Sequence, residues 1–128
     1  VSYIKAREKE VGLCKIHPIG AITKGEKGEE MAAIAGMKKA GAVAISDDGV
    51  AVKNARMMRL AMEYAKGFGM KCLCHCEDKD LVDGGSVHEG LSATIAGIRG
   101  IPRAAEDTII AREISLAESL GSNLTVFR

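Results

Sequence analysis

Short apolar runs alternate along this chain with longer amphipathic stretches. The apolar runs cover residues 13–17, 42–46, 71–75 and 123–127. Their length and apolar content predict strands, and nearly continuous apolar strands are typical of a parallel sheet that is covered on both faces. Because helix-length stretches separate the runs, we expect an α/β fold built from parallel βα repeats with right-handed crossovers.

The amphipathic stretches have helical periodicity. Helices are predicted over residues 2–11, 29–40, 54–68 and 104–120. In the second of these, one face holds Met31, Ile34 and Ala35. In the third, Asn54 is a suitable N-cap, and the apolar face holds Met58, Ala61, Met62 and Ala65. In the last, the expected apolar face holds Ile110, Ile114 and Ala117.

Four glycines mark the ends of these helices. Gly12, Gly41, Gly69 and Gly121 each follow a helical stretch and precede an apolar run. Glycine is favoured there because it adopts the left-handed conformation without a steric penalty from Cβ. The first three are 29 and 28 residues apart, about the length of one βα unit, whereas the fourth follows 52 residues later. We therefore expect an insertion in the last repeat, over residues 77–103.

Polar clusters follow two neighbouring apolar runs. Ser46-Asp47-Asp48-Gly49 comes after the second run, and His75-Cys76-Glu77-Asp78 begins at the end of the third. A strand–helix–strand unit places both strand ends at the same edge of a parallel sheet, where α/β proteins bind ligands and metals. Carboxylate and imidazole groups at that edge indicate a metal site. Taken alone, Asp-Gly is also a common turn dipeptide, and a lone histidine is often only hydrogen-bonded, so both interpretations stay open.

Composition argues against several classes of function. The chain has 128 residues, of which 47% are hydrophobic, and this is enough for one domain with a buried core. Its net charge of +1 arises from interspersed acidic and basic residues, so we expect neither a nucleic-acid partner nor a membrane partner. No apolar stretch approaches the roughly 20 residues that a membrane span needs.

The four cysteines are Cys14, Cys72, Cys74 and Cys76. They lack the Cys-x2-Cys spacing that is typical of thiolate zinc sites. Cysteines at positions i and i+2 of one strand share a face but cannot pair without distorting the strand. We therefore expect reduced, buried thiols and a cytoplasmic location.

These motifs together resemble the bacterial class I dihydroorotases of the amidohydrolase superfamily. The resemblance extends over essentially the whole chain and rests on residues 18–25, 39–44, 46–49, 75–78, 89–90, 100–102 and 104–106. It implies that residues 1–128 form a single partial TIM barrel domain, which supplies about four strands, the third to the sixth, of a (β/α)8 barrel. The insertion at 77–103 is then a long loop on the active-site face.

The resemblance also implies a chemistry. Dihydroorotases interconvert N-carbamoyl-L-aspartate and L-dihydroorotate in pyrimidine biosynthesis, and a pair of zinc ions activates the hydroxide that attacks the cyclic amide. Motif matching makes Asp48 the bridging carboxylate, with Asp47 as the less favoured choice, and makes His75 a zinc ligand. Arg128 stands where the family has a further histidine ligand. No catalytic acid or base is assigned to this chain.

Two functions are compatible with these observations. The first is a central piece of a dihydroorotase that acts on a small-molecule substrate. With only Asp48 and His75 as zinc ligands, the isolated chain is expected to be inactive. The alternative is a non-catalytic half-barrel module that self-associates. Unpaired strand edges predict a homo-oligomer.

Overall fold

The structure, a computed structural model, describes residues 1–127. The α-helices in this range are α1 Ser2–Val11, α2 Ile34–Lys39, α3 Ala55–Gly67, α4 Lys79–Val82, α5 Leu91–Ala96 and α6 Ala104–Leu120. The strands are β1 Ile19–Gly20, β2 Ala44–Ile45, β3 Lys71–His75, β4 Val87–His88, β5 Gly100–Ile101 and β6 Leu124–Phe127. Arg128 lies outside the described residues. The prediction that it stands at the position of a family histidine ligand therefore lies outside them as well.

The main sheet has four parallel strands in the order β1-β2-β3-β6. Ile19 of β1 lies opposite Ala44 of β2, which in turn lies opposite Lys71 of β3. Strand β3 then pairs with β6 from Cys72 to His75. Helices α2 and α3 connect consecutive strands of this sheet, and α6 leads into β6. The predicted α/β class with parallel βα repeats is therefore confirmed.

Helix α3 forms as its sequence predicts. The side chain of Asn54 accepts a hydrogen bond from the backbone N–H of Met57 at 3.0 Å, which satisfies one of the unpaired donors of the first turn. The buried side chains of the helix are the predicted Met58, Ala61, Met62 and Ala65. They pack in one core cluster with Ile22, Ile34, Ile45, Met70 and Cys72. Each large side chain buried there contributes about 1.5–3 kcal/mol, so this layer holds the sheet and the helices together.

The glycines that were predicted to end helices have left-handed or otherwise positive φ angles. The φ angles are 67° at Gly12, 106° at Gly41, 63° at Gly69 and 57° at Gly121. At Gly121 the backbone N–H donates to the carbonyl of Glu118 and closes the last turn of α6. The chain then turns directly into β6, so local sequence sets the end of this helix.

The first strand is displaced from its predicted position. Residues 13–17 form no strand, and Leu13 is 87% exposed. The strand lies at Ile19–Gly20 because β2 is its partner: the N–H of Val43 donates to Pro18 O at 2.9 Å, and the N–H of Ser46 donates to Gly20 O at 2.8 Å. The prediction of a strand at 13–17 is wrong, since that apolar run has no partner strand beside it.

The predicted helix over 29–40 forms only in its second half, as α2. The residues before it fold back on the segment that follows β1. Thr23 and Met31 form an antiparallel bridge, and the N–H of Ala32 donates to Ile22 O at 2.9 Å. Hydrogen bonds to the segment that follows β1 thus replace those of the first helical turns.

Helix α6 has its predicted bounds but a different buried face. Its buried side chains are Ala105, Ile109, Glu113 and Ala117. Ile110 is only partly buried against the core, and the predicted Ile114 is exposed. The helix is therefore rotated relative to the expected face, and a charged residue occupies a core position.

Residues 77–103 contain regular structure. Helices α4 and α5 lie in this segment, and β4 and β5 pair as a separate two-stranded parallel sheet. The N–H of Asp78 donates to the carbonyl of Ala105 at 2.7 Å, which ties the start of the segment to α6. No helix within residues 1–127 is long and apolar enough to cross a membrane.

Candidate functional site

Asp47 lies at the carboxyl end of β2 and is only 3% exposed. Its Oδ1 accepts hydrogen bonds from the backbone N–H groups of Ile22 and Thr23 at 2.7 and 2.9 Å. Its Oδ2 accepts one from Thr23 Oγ1 at 2.5 Å. This carboxylate therefore fastens the segment after β1 to the segment after β2, and both of its oxygens are already engaged.

Asp48 is exposed and has a left-handed backbone, with φ at 50°. Aspartate tolerates this conformation better than most residues do. The N–H of Asp48 donates to Ser46 Oγ at 3.0 Å, and the N–H of Val50 donates to Asp47 O at 3.0 Å, so the turn is closed around it. Within residues 1–127 the structure shows no hydrogen bond to the Asp48 carboxylate.

His75 is the last residue of β3, and its side chain is 18% exposed. Side chains alternate along the strand, so His75 shares a face with Leu73, and the buried Cys72 and Cys74 share the other. The imidazole lies edge-on to the ring of Phe127 on β6, with centroids 6.3 Å apart. Its Nε2 is 4.0 Å from a carboxylate oxygen of Glu77.

The parallel pairing of β2 and β3 places Asp47, Asp48 and His75 at one edge of the sheet. Asp47 and His75 both line a narrow cavity of about 10 Å³, together with Glu113, whereas Asp48 is not among its lining residues. Within residues 1–127 no group of three or more His, Cys, Asp or Glu side chains is arranged to hold a metal. Asp48 and His75 offer one oxygen ligand and one nitrogen ligand of the kinds that zinc takes, but they are too few for a closed site.

The cysteines are free thiols, and three of them are buried as predicted. Burial raises the pKa of Cys72 to about 12 and that of Cys76 to about 11. Burial also raises the pKa of Cys74 well above its usual range. These thiols stay protonated and are poor metal ligands in this state. Cys14 is exposed, which corrects the expectation that all four are buried.

Sequence reasoning missed a buried pair on α6. Glu113 is 2% exposed, and its Oε1 accepts hydrogen bonds from the Arg112 guanidinium. Burial raises the pKa of Glu113, and the hydrogen bond from Arg112 opposes that shift. The available signal was spacing: Glu113 follows Ile109 by four positions and precedes Ala117 by four, within an otherwise apolar helical stripe.

Together, the fold and this edge define a class of protein: an α/β protein of parallel βα repeats whose polar site lies at the carboxyl ends of adjacent strands. Such sites are built from residues at the ends of different strands, and here His75 ends β3 while Asp48 follows β2. Residues 1–128 match the family model described as dihydro-orotase-like, and the chain belongs to this family. The resemblance that the motifs indicated is confirmed.

Individual relatives agree with the family match. The chain is 51% identical over 126 residues to the dihydroorotase of Pelotomaculum thermopropionicum. It is 50% identical to those of Solibacter usitatus, over 125 residues, and Caldicellulosiruptor saccharolyticus, over 126 residues. Each match covers 98% of this chain but 29% of the relative. The chain thus spans less than a third of the length of these relatives.

Proposed function

We propose that this chain is a central part of a dihydroorotase, a zinc-dependent hydrolase that acts on the cyclic amide of L-dihydroorotate in cytoplasmic pyrimidine biosynthesis. The observation that carries the proposal is the register of β2 and β3. Ile45 pairs with Cys72, and Asp48 and His75 each follow their paired residue by three positions. The four-stranded sheet would then be half of an eight-stranded barrel.

Asp48 and His75 are the residues that would hold zinc. When bound, zinc supplies an activated water and polarises the amide carbonyl of the substrate. Asp48 would contribute an exposed carboxylate from a turn that Asp47 anchors. The Glu77 carboxylate lies beside the imidazole, with one oxygen 4.0 Å from His75 Nε2 and the other 3.3 Å from Lys79 Nζ. It would have to come within hydrogen-bond distance to orient the imidazole, as carboxylates near metal-bound histidines commonly do.

The test exchanges this chain into a whole relative. Residues 1–127 replace the matched segment of the Pelotomaculum thermopropionicum dihydroorotase, and hydrolysis of dihydroorotate is measured with zinc present. We expect the chimera to be active, and we expect Asp48→Asn or His75→Ala to reduce its activity to background. His17→Ala is the matched control, because His17 is exposed and precedes β1, at the opposite end of the strands.

The isolated chain should behave differently from the chimera. Two ligands do not hold a catalytic zinc pair, so purified chain with added zinc should show no conversion of dihydroorotate above background. A folded chimera that hydrolyses dihydroorotate equally well with Asp48→Asn would refute the assigned role of Asp48. Zinc-dependent turnover by the isolated chain would show instead that copies of it rebuild a working site.

We also propose that the chain forms homo-oligomers. Among the described residues, β1 and β6 each pair with only one strand of the main sheet. Val126 and Phe127 of β6 are exposed apolar side chains beside that unpaired edge. Such an edge is a template for pairing with another strand. This observation is also what favours a self-associating module as the second candidate function.

A further inference from the structure

Arg112 reaches from α6 to the segment that carries Asp48. Its Nη2 donates to Val52 O at 2.7 Å, and its Nη1 donates to Lys53 O at 3.0 Å. The two carbonyls are 60 and 59 residues away along the chain. The guanidinium therefore joins the last helix to the connection between β2 and α3, which we define as the β2–α3 segment, residues 46–54.

Glu113 holds this guanidinium in place. Its Oε1 accepts from Arg112 Nε at 3.0 Å and also from Nη2. Arg112 is thus bonded to a carboxylate through Nε and Nη2 and to two backbone carbonyls through Nη1 and Nη2. Only the planar fork of arginine presents donors in this arrangement, because a lysine ammonium is a single point.

The β2–α3 segment is fastened at both ends and exposed between them. Asp47 anchors its start to Ile22 and Thr23. Arg112 anchors its end through the carbonyls of Val52 and Lys53. Lys53 also forms an ion pair with Asp80, but both side chains are largely exposed, so this pair adds little. Asp48 and Gly49 lie between the two anchors and are exposed. The position of Asp48 therefore depends on contacts that Asp48 does not itself make.

We propose that Arg112 is a positioning residue for the candidate metal site: clamped by Glu113, it fixes the β2–α3 segment and so sets where Asp48 lies relative to His75. This inference rests on the proposed function, since it concerns the same Asp48 carboxylate. It adds a residue of α6, far along the chain, to a site otherwise built from strand ends.

The experiment uses the full chain and three variants. Arg112→Lys keeps the positive charge beside Glu113 and removes the fork. Arg112→Gln with Glu113→Gln removes both charges, so no buried carboxylate is left without a partner. Arg59→Gln is the matched control, because Arg59 forms an exposed ion pair with Glu63 on α3. Amide hydrogen exchange by NMR and calorimetric titration with zinc chloride are measured on each.

The amides of Asp48 and Val50 report on the closed turn, since both donate within it. We expect both to exchange about tenfold faster in Arg112→Lys and in the double variant, while the amide of Cys72, bonded to Asn123 O, keeps its rate. Zinc affinity should fall about tenfold, as it does when groups that orient metal ligands are removed. Arg59→Gln should match the wild type in both measurements.

Unchanged exchange at Asp48 and Val50 in the double variant would overturn the inference. Wild-type behaviour of Arg112→Lys would also overturn it, because the fork would then be unnecessary. Equal acceleration at the Cys72 amide would show general loosening of the fold and would count against a positioning role. A wild-type chain that binds no zinc agrees with the two ligands that this chain supplies, and the exchange rates at Asp48 and Val50 then decide on their own whether Arg112 holds the segment.

Discussion

The sharpest prediction separates two adjacent aspartates. Asp47→Ala removes the acceptor of the N–H groups of Ile22 and Thr23. Both residues are fully buried, at 1% and 0% exposure, so water cannot replace the lost acceptor. A hydrogen bond to a charged group contributes at least about 1.5 kcal/mol. The two N–H groups alone then give a loss of roughly 3 kcal/mol in the free energy of unfolding, and the lost hydrogen bond from Thr23 Oγ1 adds to it.

Asparagine substitutions at the two positions provide the comparison. Asp47→Asn keeps one carbonyl oxygen for the two N–H groups, so we expect a loss of only about 1 kcal/mol. Asp48→Asn should change stability by less than about 0.5 kcal/mol, because the side chain is exposed and asparagine also tolerates a positive φ. The predicted order of destabilisation is therefore Asp47→Ala, then Asp47→Asn, then Asp48→Asn.

Urea unfolding followed by circular dichroism at one protein concentration measures this order. With a urea slope of about 2 kcal/mol/M, a loss of 3 kcal/mol lowers the midpoint by roughly 1.5 M. A midpoint for Asp47→Ala within about 0.25 M of the wild type, equivalent to about 0.5 kcal/mol, would refute the anchoring role of Asp47. A larger loss from Asp48→Asn than from Asp47→Ala would reverse the assignment of the two carboxylates.

Two further predictions concern pH and association. Burial raises the pKa of Glu113 above its usual 4.5, although the hydrogen bond and charge of Arg112 act in the opposite direction. The neighbouring thiols of Cys72 and Cys74 are uncharged. The folded state then binds the Glu113 proton more tightly than the unfolded state does. The stabilisation that the protonated Glu113 gives to the folded state is therefore fully present below pH 4.5 and is lost as pH rises through the raised pKa. Urea midpoints between pH 4 and 8 should therefore show the wild type losing stability relative to Glu113→Gln as pH rises, and a constant difference would contradict this. Light scattering at micromolar concentration should give a mass above the 13.5 kDa of one chain. The substitution Val126→Lys places a charge on the open edge of β6 and should lower that mass. A monomer mass for the wild type would contradict the proposed self-association.

Local sequence was sufficient wherever the stabilising contact is itself local. The bounds of α6 and the capping of α3 by Asn54 follow from side chains and backbone groups a few residues apart. The glycines that follow α1, α2, α3 and α6 likewise meet a one-residue requirement on φ. The spacing of these units was enough to predict parallel βα repeats, because parallel strands need a crossover of about this length.

Long-range pairing decided what local patterns could not. Residues 13–17 and Ile19–Gly20 are both apolar enough for a strand, and only the second segment pairs with β2. The helical pattern from residue 29 was interrupted because Thr23 and Met31 pair across the intervening turn. In both places the hydrogen bonds that decide the outcome join two separate segments, and the helical or strand pattern of one segment alone does not report them.

The sequence by itself determined the α/β class, the glycine-marked C-terminal ends of helices and the placement of a carboxylate and an imidazole at strand ends, since periodicity, capping and strand alternation are short-range properties. Only the tertiary structure distinguished Asp47 from Asp48, because the donors that engage Asp47 lie 24 and 25 residues away, in another loop. Only the tertiary structure placed Glu113 in the core, where Arg112 compensates its charge and reaches back to Val52 and Lys53. A buried charged group is stable only with its partners in place, and those partners are brought together by the fold.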